Sequence, residues 1–104
     1  MNPSEYLYVA NSPIHGKGVF AKFTIEKNTG LFLVADLNRY KKRKGWITKL
    51  GKLVNHQLDG NCFLRKVGSL YILFSNRTIN PNEELTSNYT VLPKPFKNTV
   101  NGYK

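Results

Sequence analysis

The sequence predicts a small, mainly β domain built from several short strands, with little helix. Three observations predict it. Short runs of aromatic and β-branched residues recur at roughly ten-residue spacing through the first third of the chain, a cue for a β-rich domain rather than a βαβ unit. Clusters of Asn, Asp, Gly and Pro punctuate those runs. One irregular polar stretch, Val54-Asn55-His56-Gln57-Leu58-Asp59-Gly60-Asn61-Cys62, stands between two apolar segments. With 104 residues and 40% apolar content, the chain is expected to form one domain over 1–104.

Taken in order, residues 5–10 (Glu-Tyr-Leu-Tyr-Val-Ala) read as a strand closed by Asn11-Ser12-Pro13. Gly16 and Gly18 flank Lys17, and Val19-Phe20-Ala21 begins a second strand. Residues 24–30 are a polar turn, and 31–35 a third strand. The character changes over residues 36–52, where Arg39, Lys41, Lys42, Arg43, Lys44, Lys49 and Lys52 supply seven of the sixteen basic residues, with Tyr40 and Trp46 among them. Two readings fit this segment and are compatible. It is an electrostatic contact with aromatic anchors, suited to phosphate binding and stacking. It is equally a solvated turn followed by a short amphipathic helix, with Trp46, Ile47, Leu50, Leu53 and Val54 facing inward. Residues 63–66 and 70–75 read as a strand pair joined by Val67-Gly68-Ser69, and Asn80-Pro81-Asn82 turns the chain into 83–87. The last residues, 97–104, are expected to be a mobile tail.

The composition excludes several classes. The single Cys62 rules out an intramolecular disulfide and a thiolate-rich zinc cluster, so no metal site is expected. No apolar run approaches the about 20 residues of a membrane-spanning helix, and the N-terminus lacks the organisation of a signal peptide. The expectation is a soluble, intracellular protein in a reducing compartment, not secreted and with no membrane partner. A net charge of +10 predicts attraction to nucleic acid, acidic protein segments or other phosphate-rich partners.

Three stretches carry the chemistry: Ile14-His15-Gly16-Lys17-Gly18-Val19, then Asn55-His56 through Asn61-Cys62, then Glu83-Glu84-Leu85-Thr86-Ser87-Asn88-Tyr89. In this order and spacing they resemble the signature of the SET domain, the protein lysine methyltransferase fold, whose motifs read approximately Gly-x-Gly, Asn-His-Ser-Cys-x-Pro-Asn-Cys and Glu-Glu-Leu-Thr-x-x-Tyr. The likeness spans about residues 10–96, in length it is closest to small stand-alone members from viruses and microbes, and it implies a SET-like fold of several small sheets in which 54–62 and 83–89 meet in a threaded, knot-like crossing.

The resemblance implies transfer of a methyl group from S-adenosylmethionine to a lysine amine of a protein substrate. It implies that Gly16, Lys17, Gly18, Asn55 and His56 hold the cofactor, joined by Phe96 if its ring packs over the adenine rather than back on the domain. Tyr89 would be the catalytic residue, orienting methyl donor and acceptor nitrogen; Phe63 and Ser87 would border the substrate lysine channel. It also implies that so short a chain completes its groove as a homodimer. Read by residue type alone, His56 is as well a structural hydrogen bonder and Tyr89 a strand-end aromatic on the core.

This chain departs from the motifs at Gln57, Leu58 and Gly60, which stand for Ser, Cys and Pro, and at Ser87 and Asn88, which stand for an aromatic residue and Asp. Asn88 lacks a carboxylate, which predicts weaker local hydrogen bonding. The competing function is a non-catalytic basic module that binds nucleic acid, or a protein associated with it, through the basic residues Arg39 to Lys44.

Overall fold

The computed structural model describes residues 3–41 and 47–88, apart from the side chains of Tyr40 and Lys41. The segment between 41 and 47 and everything from Tyr89 onward, including Tyr89, Phe96 and Trp46, lie outside the described residues. Among the described residues, seven strands and two one-turn helices follow a short 3₁₀ turn: β1 (Leu7–Asn11), β2 (Lys17–Ala21), β3 (Gly30–Asp36), α1 (Leu37–Lys41), α2 (Lys49–Leu53), β4 (Asn55–His56), β5 (Cys62–Val67), β6 (Leu70–Ser75) and β7 (Thr86–Ser87). The mainly β expectation holds, with strand positions close to those predicted. The helical turn α1 has no counterpart in the sequence reading.

Strands β1 and β2 form an antiparallel pair, and the other five make one sheet in the order β3-β6-β5-β7-β4. The β5–β6 hairpin closes through Gly68-Ser69, with Val67 opposite Leu70 and Gly68 at φ +62°. A positive φ at the first of two loop residues matches strand twist and suits glycine, the residue without a Cβ penalty there. Asn28 and Asn82 occupy left-handed conformations in the two predicted polar turns, as Asn tolerates.

Strand β3 does not alternate. Register breaks between Gly30 and Phe32 and between Leu33 and Ala35 each insert an extra residue. Leu31 with Phe32, and Val34 with Ala35, are therefore buried in consecutive pairs, and Leu33 is left outside. The core gathers these with Val19, Leu73, Ile79 and Leu85, the last four at most 1% exposed. A fully buried aliphatic side chain contributes about 1.5–3 kcal/mol through loss of apolar surface from water. Helix α2 begins at Thr48, whose hydroxyl accepts from Gly51 N at 3.1 Å and donates to the carbonyl of Leu33 at 2.8 Å. Ile47, Leu50 and Leu53 pack on the core, as their spacing predicts.

The arrangement of β4, β5 and β7 positions everything functional. β7 lies between the other two and pairs with both in parallel, Asn55 opposite Thr86, His56 opposite Ser87, and Cys62 opposite Ser87. Residues 57–61 therefore carry the chain from one side of β7 to the other, across it. Leu85 fixes β7 from beneath, fully buried, with its N–H on the carbonyl of Val19 at 2.8 Å.

Candidate functional site

Ser12 begins the glycine loop as a local turn. Its N–H donates to the carbonyl of Gly16 at 2.8 Å, and its hydroxyl accepts from the N–H of Ile14 at 3.0 Å. Gly16 stands at φ +46°, and a Cβ there would project into open space. Gly18 differs in kind. A Cβ at Gly18 would lie 2.3 Å from Oε2 of Glu84, so the space it leaves is filled by a carboxylate of the chain itself. At the sequence level both glycines suggest room for a ligand against the backbone; only Gly16 borders open space.

Glu84 is the hub. Its two oxygens accept from the Ser12 hydroxyl at 2.8 and 2.9 Å, and Oε2 accepts from the Asn55 amide at 2.8 Å. The backbone of Glu84 also bridges to Phe20 of β2. The Asn55 side chain, only 5% exposed, shares its NH₂ among Glu84, the carbonyl of His15 at 3.1 Å and that of Lys17 at 3.3 Å. The amide thus fastens the glycine loop to β4. Its Oδ1 has no hydrogen-bond partner among the described residues. Sequence reasoning singles out neither Ser12 nor Glu84 as a site residue, although Glu84 lies inside the third motif. The available signal is a carboxylate two residues before a buried strand pair.

A second network holds the crossing. Asn61, 1% exposed, donates through Nδ2 to the carbonyl of Glu84 at 2.8 Å and to Glu83 Oε2 at 3.0 Å; its Oδ1 accepts from Thr86 N at 2.9 Å. Thr86 Oγ1 in turn donates to Gln57 Oε1 at 3.1 Å. The outward carbonyls of the crossing are each capped: Leu58 by Asn88 Nδ2 at 3.0 Å, Asp59 by Arg77 at 3.0 Å, and Gly60 by Asn76 Nδ2 at 2.8 Å. An Asp at position 88 offers no donor for the Leu58 carbonyl. The departure to Asn88 supplies a bond at this place, contrary to the weaker bonding its sequence predicts. Gly60 is buried, and a Cβ on it would come within 2.8 Å of the backbone of Thr86 and Ser87. It reads as a turn glycine in the sequence, but what it provides is close approach to β7, nearer than the proline of the motif permits. Leu58, 72% exposed, faces outward.

The remaining expected residues are distributed unevenly. Lys17 points its ammonium at Asn11 Oδ1, 2.8 Å away, on the surface. His56 is half-buried in β4, in register with Ser87, whose carbonyl accepts from Gln57 N at 3.1 Å. Ser87 is buried in β7. Phe63 is in register with Phe74 and stacks on it, ring centroids 5.9 Å apart. Cys62 is buried beside Ser87, and burial pushes its thiol up to about 12. Tyr89 and Phe96 fall outside the described residues. Among the described residues no group of three or more His, Cys, Asp or Glu could hold a metal ion, and no helix is long and apolar enough to cross a membrane.

Comparison with known proteins adds to this geometry. A family model described as the SET domain matches residues 31–90, more than half of the chain. A crystal structure from Plasmodium falciparum, of a protein named as a candidate histone methyltransferase, aligns with a TM-score of 0.62 and 21% identity, covering 81% of this chain and 92% of that one. At that identity the likeness is one of fold. No curated protein matches the chain. The family match begins at β3 and leaves out the glycine loop, whose tie to the matched region rests on Asn55 and Glu84.

Proposed function

The chain belongs to the SET-domain family, and on that premise we propose that it is an S-adenosylmethionine-dependent protein lysine N-methyltransferase. One observation carries the reading. The Asn55 amide is committed on its nitrogen side to two glycine-loop carbonyls and Glu84, which aims its carbonyl oxygen away from that loop's backbone. An acceptor held in this way beside a glycine with free space suits the ammonium of an amino-acid moiety. S-adenosylmethionine, when bound, supplies an electrophilic methyl group on a cationic sulfonium.

The chain's own residues then have positional work. The loop around Gly16 offers backbone against which the methionine part would lie, and Glu84 holds that loop rigid through Ser12 and Asn55. His56, beside Asn55 on β4, would meet the adenine side through its backbone. The parallel pairing of β4 with β7 brings Ser87 against this strand, and the chain reaches Tyr89 two residues later. Tyr89 would orient the acceptor amine with its hydroxyl. An unperturbed lysine amine has a pKa near 10.4 and is mostly charged at pH 7. A dry channel beside Ser87 would lower that value by disfavouring the cation, so positioning and desolvation would suffice without a dedicated base.

Isothermal titration of S-adenosylmethionine into wild type, Asn55→Ala and Tyr89→Phe tests the reading. Binding by wild type and Tyr89→Phe, lost in a folded Asn55→Ala, supports it. The absence of heat at millimolar ligand in folded wild type refutes it.

A further inference from the structure

The side of the β3-β6-β5 sheet turned away from the core is a second surface, which the methyl-transfer reading touches only at Phe63. Register places nine residues on it in three rows: Gly30, Phe74 and Phe63; Leu33, Ile72 and Arg65; Asp36, Leu70 and Val67. None of the nine is buried, and Leu33 and Val67 are 39% and 49% exposed. Phe63 and Phe74 stack side by side at one end. Gly30 leaves the ground beneath Phe74 flat, since a Cβ there would press to 3.3 Å from the ring. The Arg65 guanidinium lies 4.6 Å from the centre of the Phe74 ring.

The far end of this face meets helix α1. Helix α1 docks there, with Leu37 N on the carbonyl of Ser69 at 2.8 Å and Asn38 Nδ2 on the Ser69 hydroxyl at 3.2 Å. Exposed Arg39 follows directly on the two α1 residues bonded to the β5–β6 turn, while Arg65 stands in the middle row. The carboxylate at that end, Asp36, already accepts from Asn38 N at 2.9 Å.

We propose that this face is a platform for single-stranded nucleic acid, two or three nucleotides long, with bases stacked on Phe63 and Phe74 and phosphates toward Arg65 and Arg39. Two arguments select this occupant. Three strands about 4.8 Å apart and three rows about 6.7 Å apart give a patch of roughly 300 Å² with side chains included. A stable dimer needs about 800 Å² per partner, whereas two or three bases on a sheet need no more than this patch. Charge agrees, because a second copy brings another +10 against the first, while a phosphate chain is attracted to it. Aromatic rings beside an arginine on an open sheet are also what sequence-tolerant base stacking requires.

The test is fluorescence anisotropy with a labelled thymidine octamer and a labelled abasic octamer of equal charge, titrated with wild type, Phe63→Leu, Arg65→Gln and Lys22→Gln. Lys22 is remote from the face, bonded to the carbonyl of Ser4, and controls for loss of one charge. The thymidine octamer should bind about 5- to 150-fold more tightly than the abasic one. Phe63→Leu should erase that difference, and Arg65→Gln should weaken binding more than Lys22→Gln does. Photocrosslinking of an iodouridine octamer to wild type, independent of any variant's folding, should label Phe63 or Phe74. Equal affinity for both octamers, or crosslinks only elsewhere, overturns the proposal; so does an acidic peptide that occupies this face and is not displaced by the octamer.

Discussion

Asn61→Ala removes the side chain that ties the crossing to β7, and its cost can be worked from the bonds it leaves broken. The Thr86 N–H loses its acceptor and the Glu84 carbonyl its donor, at 2.9 and 2.8 Å in the native state. Asn61 is 1% exposed, so water cannot substitute without opening the crossing. A buried backbone group left unsatisfied costs about 1–3 kcal/mol, and two such groups give about 2–6 kcal/mol. That is a large share of the about 5–15 kcal/mol by which domains are stable. Urea unfolding measures the loss, and hydrogen exchange at the Thr86 amide localises it. Asn61→Asp sharpens the test. It retains an acceptor for Thr86 but turns a carboxyl toward Glu83 Oε2 and the Glu84 carbonyl. Its pKa in the folded state must then lie above the unfolded value near 3.9. The variant's deficit should be smallest below about pH 4 and should grow as pH rises through the folded value. A loss below about 1 kcal/mol in Asn61→Ala, with unchanged exchange at Thr86, refutes the reasoning.

Other perturbations separate the roles of neighbouring residues. Gly18→Ala should displace Glu84, free Asn55 and lower cofactor affinity at least tenfold by titration, whereas Gly16→Ala, which meets no atom, should cost about 1 kcal/mol of backbone strain in thermal unfolding. Asn88→Asp should destabilise by about 1 kcal/mol in urea, because it exchanges the donor to Leu58 for an acceptor. Cys62, its thiol pushed up to about 12 by burial, should resist thiol reagents at pH 8 in the native state and react only as the chain unfolds. Its folded pKa is above the unfolded one, so its contribution to stability is full below about pH 8.5 and is lost as pH rises toward 12, a slope that Cys62→Ala should remove.

The strands and turns are legible in the sequence because each depends on near neighbours: short apolar runs between turn residues for β5 and β6, Asn28 and Asn82 in their turns, Gly68 in its hairpin. Asn55 is legible as a site residue because a polar pair set between apolar runs is drawn toward the interior, where its donors and acceptors need partners. The bulges of β3 are not, since consecutive buried pairs look the same as one continuous apolar run until the partner strand is known. Glu84 escapes sequence reasoning for a related cause. Its partner Ser12 is 72 positions away, and a single sequence names donors and acceptors without saying which of them meet. Gly18 reads as room for a ligand and Gly60 as a turn glycine, while each is glycine because of an atom from a distant part of the chain. Asn88 looks like a loss because the carbonyl it serves, that of Leu58, is invisible as an acceptor in need.

The place of β7 bears on the order in which the molecule can be made. Adjacent parallel strands need a connection of a dozen or more residues, and only 57–61 join β4 to β5, so those two cannot close on each other while the chain waits. Residues 86–87 must arrive from 31 positions beyond Asn55, a loop closure whose entropy is spent before its contacts form. Docking β7 completes the sheet, seats Glu84 against the glycine loop and carries the chain to Tyr89 in one event. A half-folded form of this protein therefore has no half-formed site, and any ligand that binds there acts on the last step of folding as well as on the finished fold.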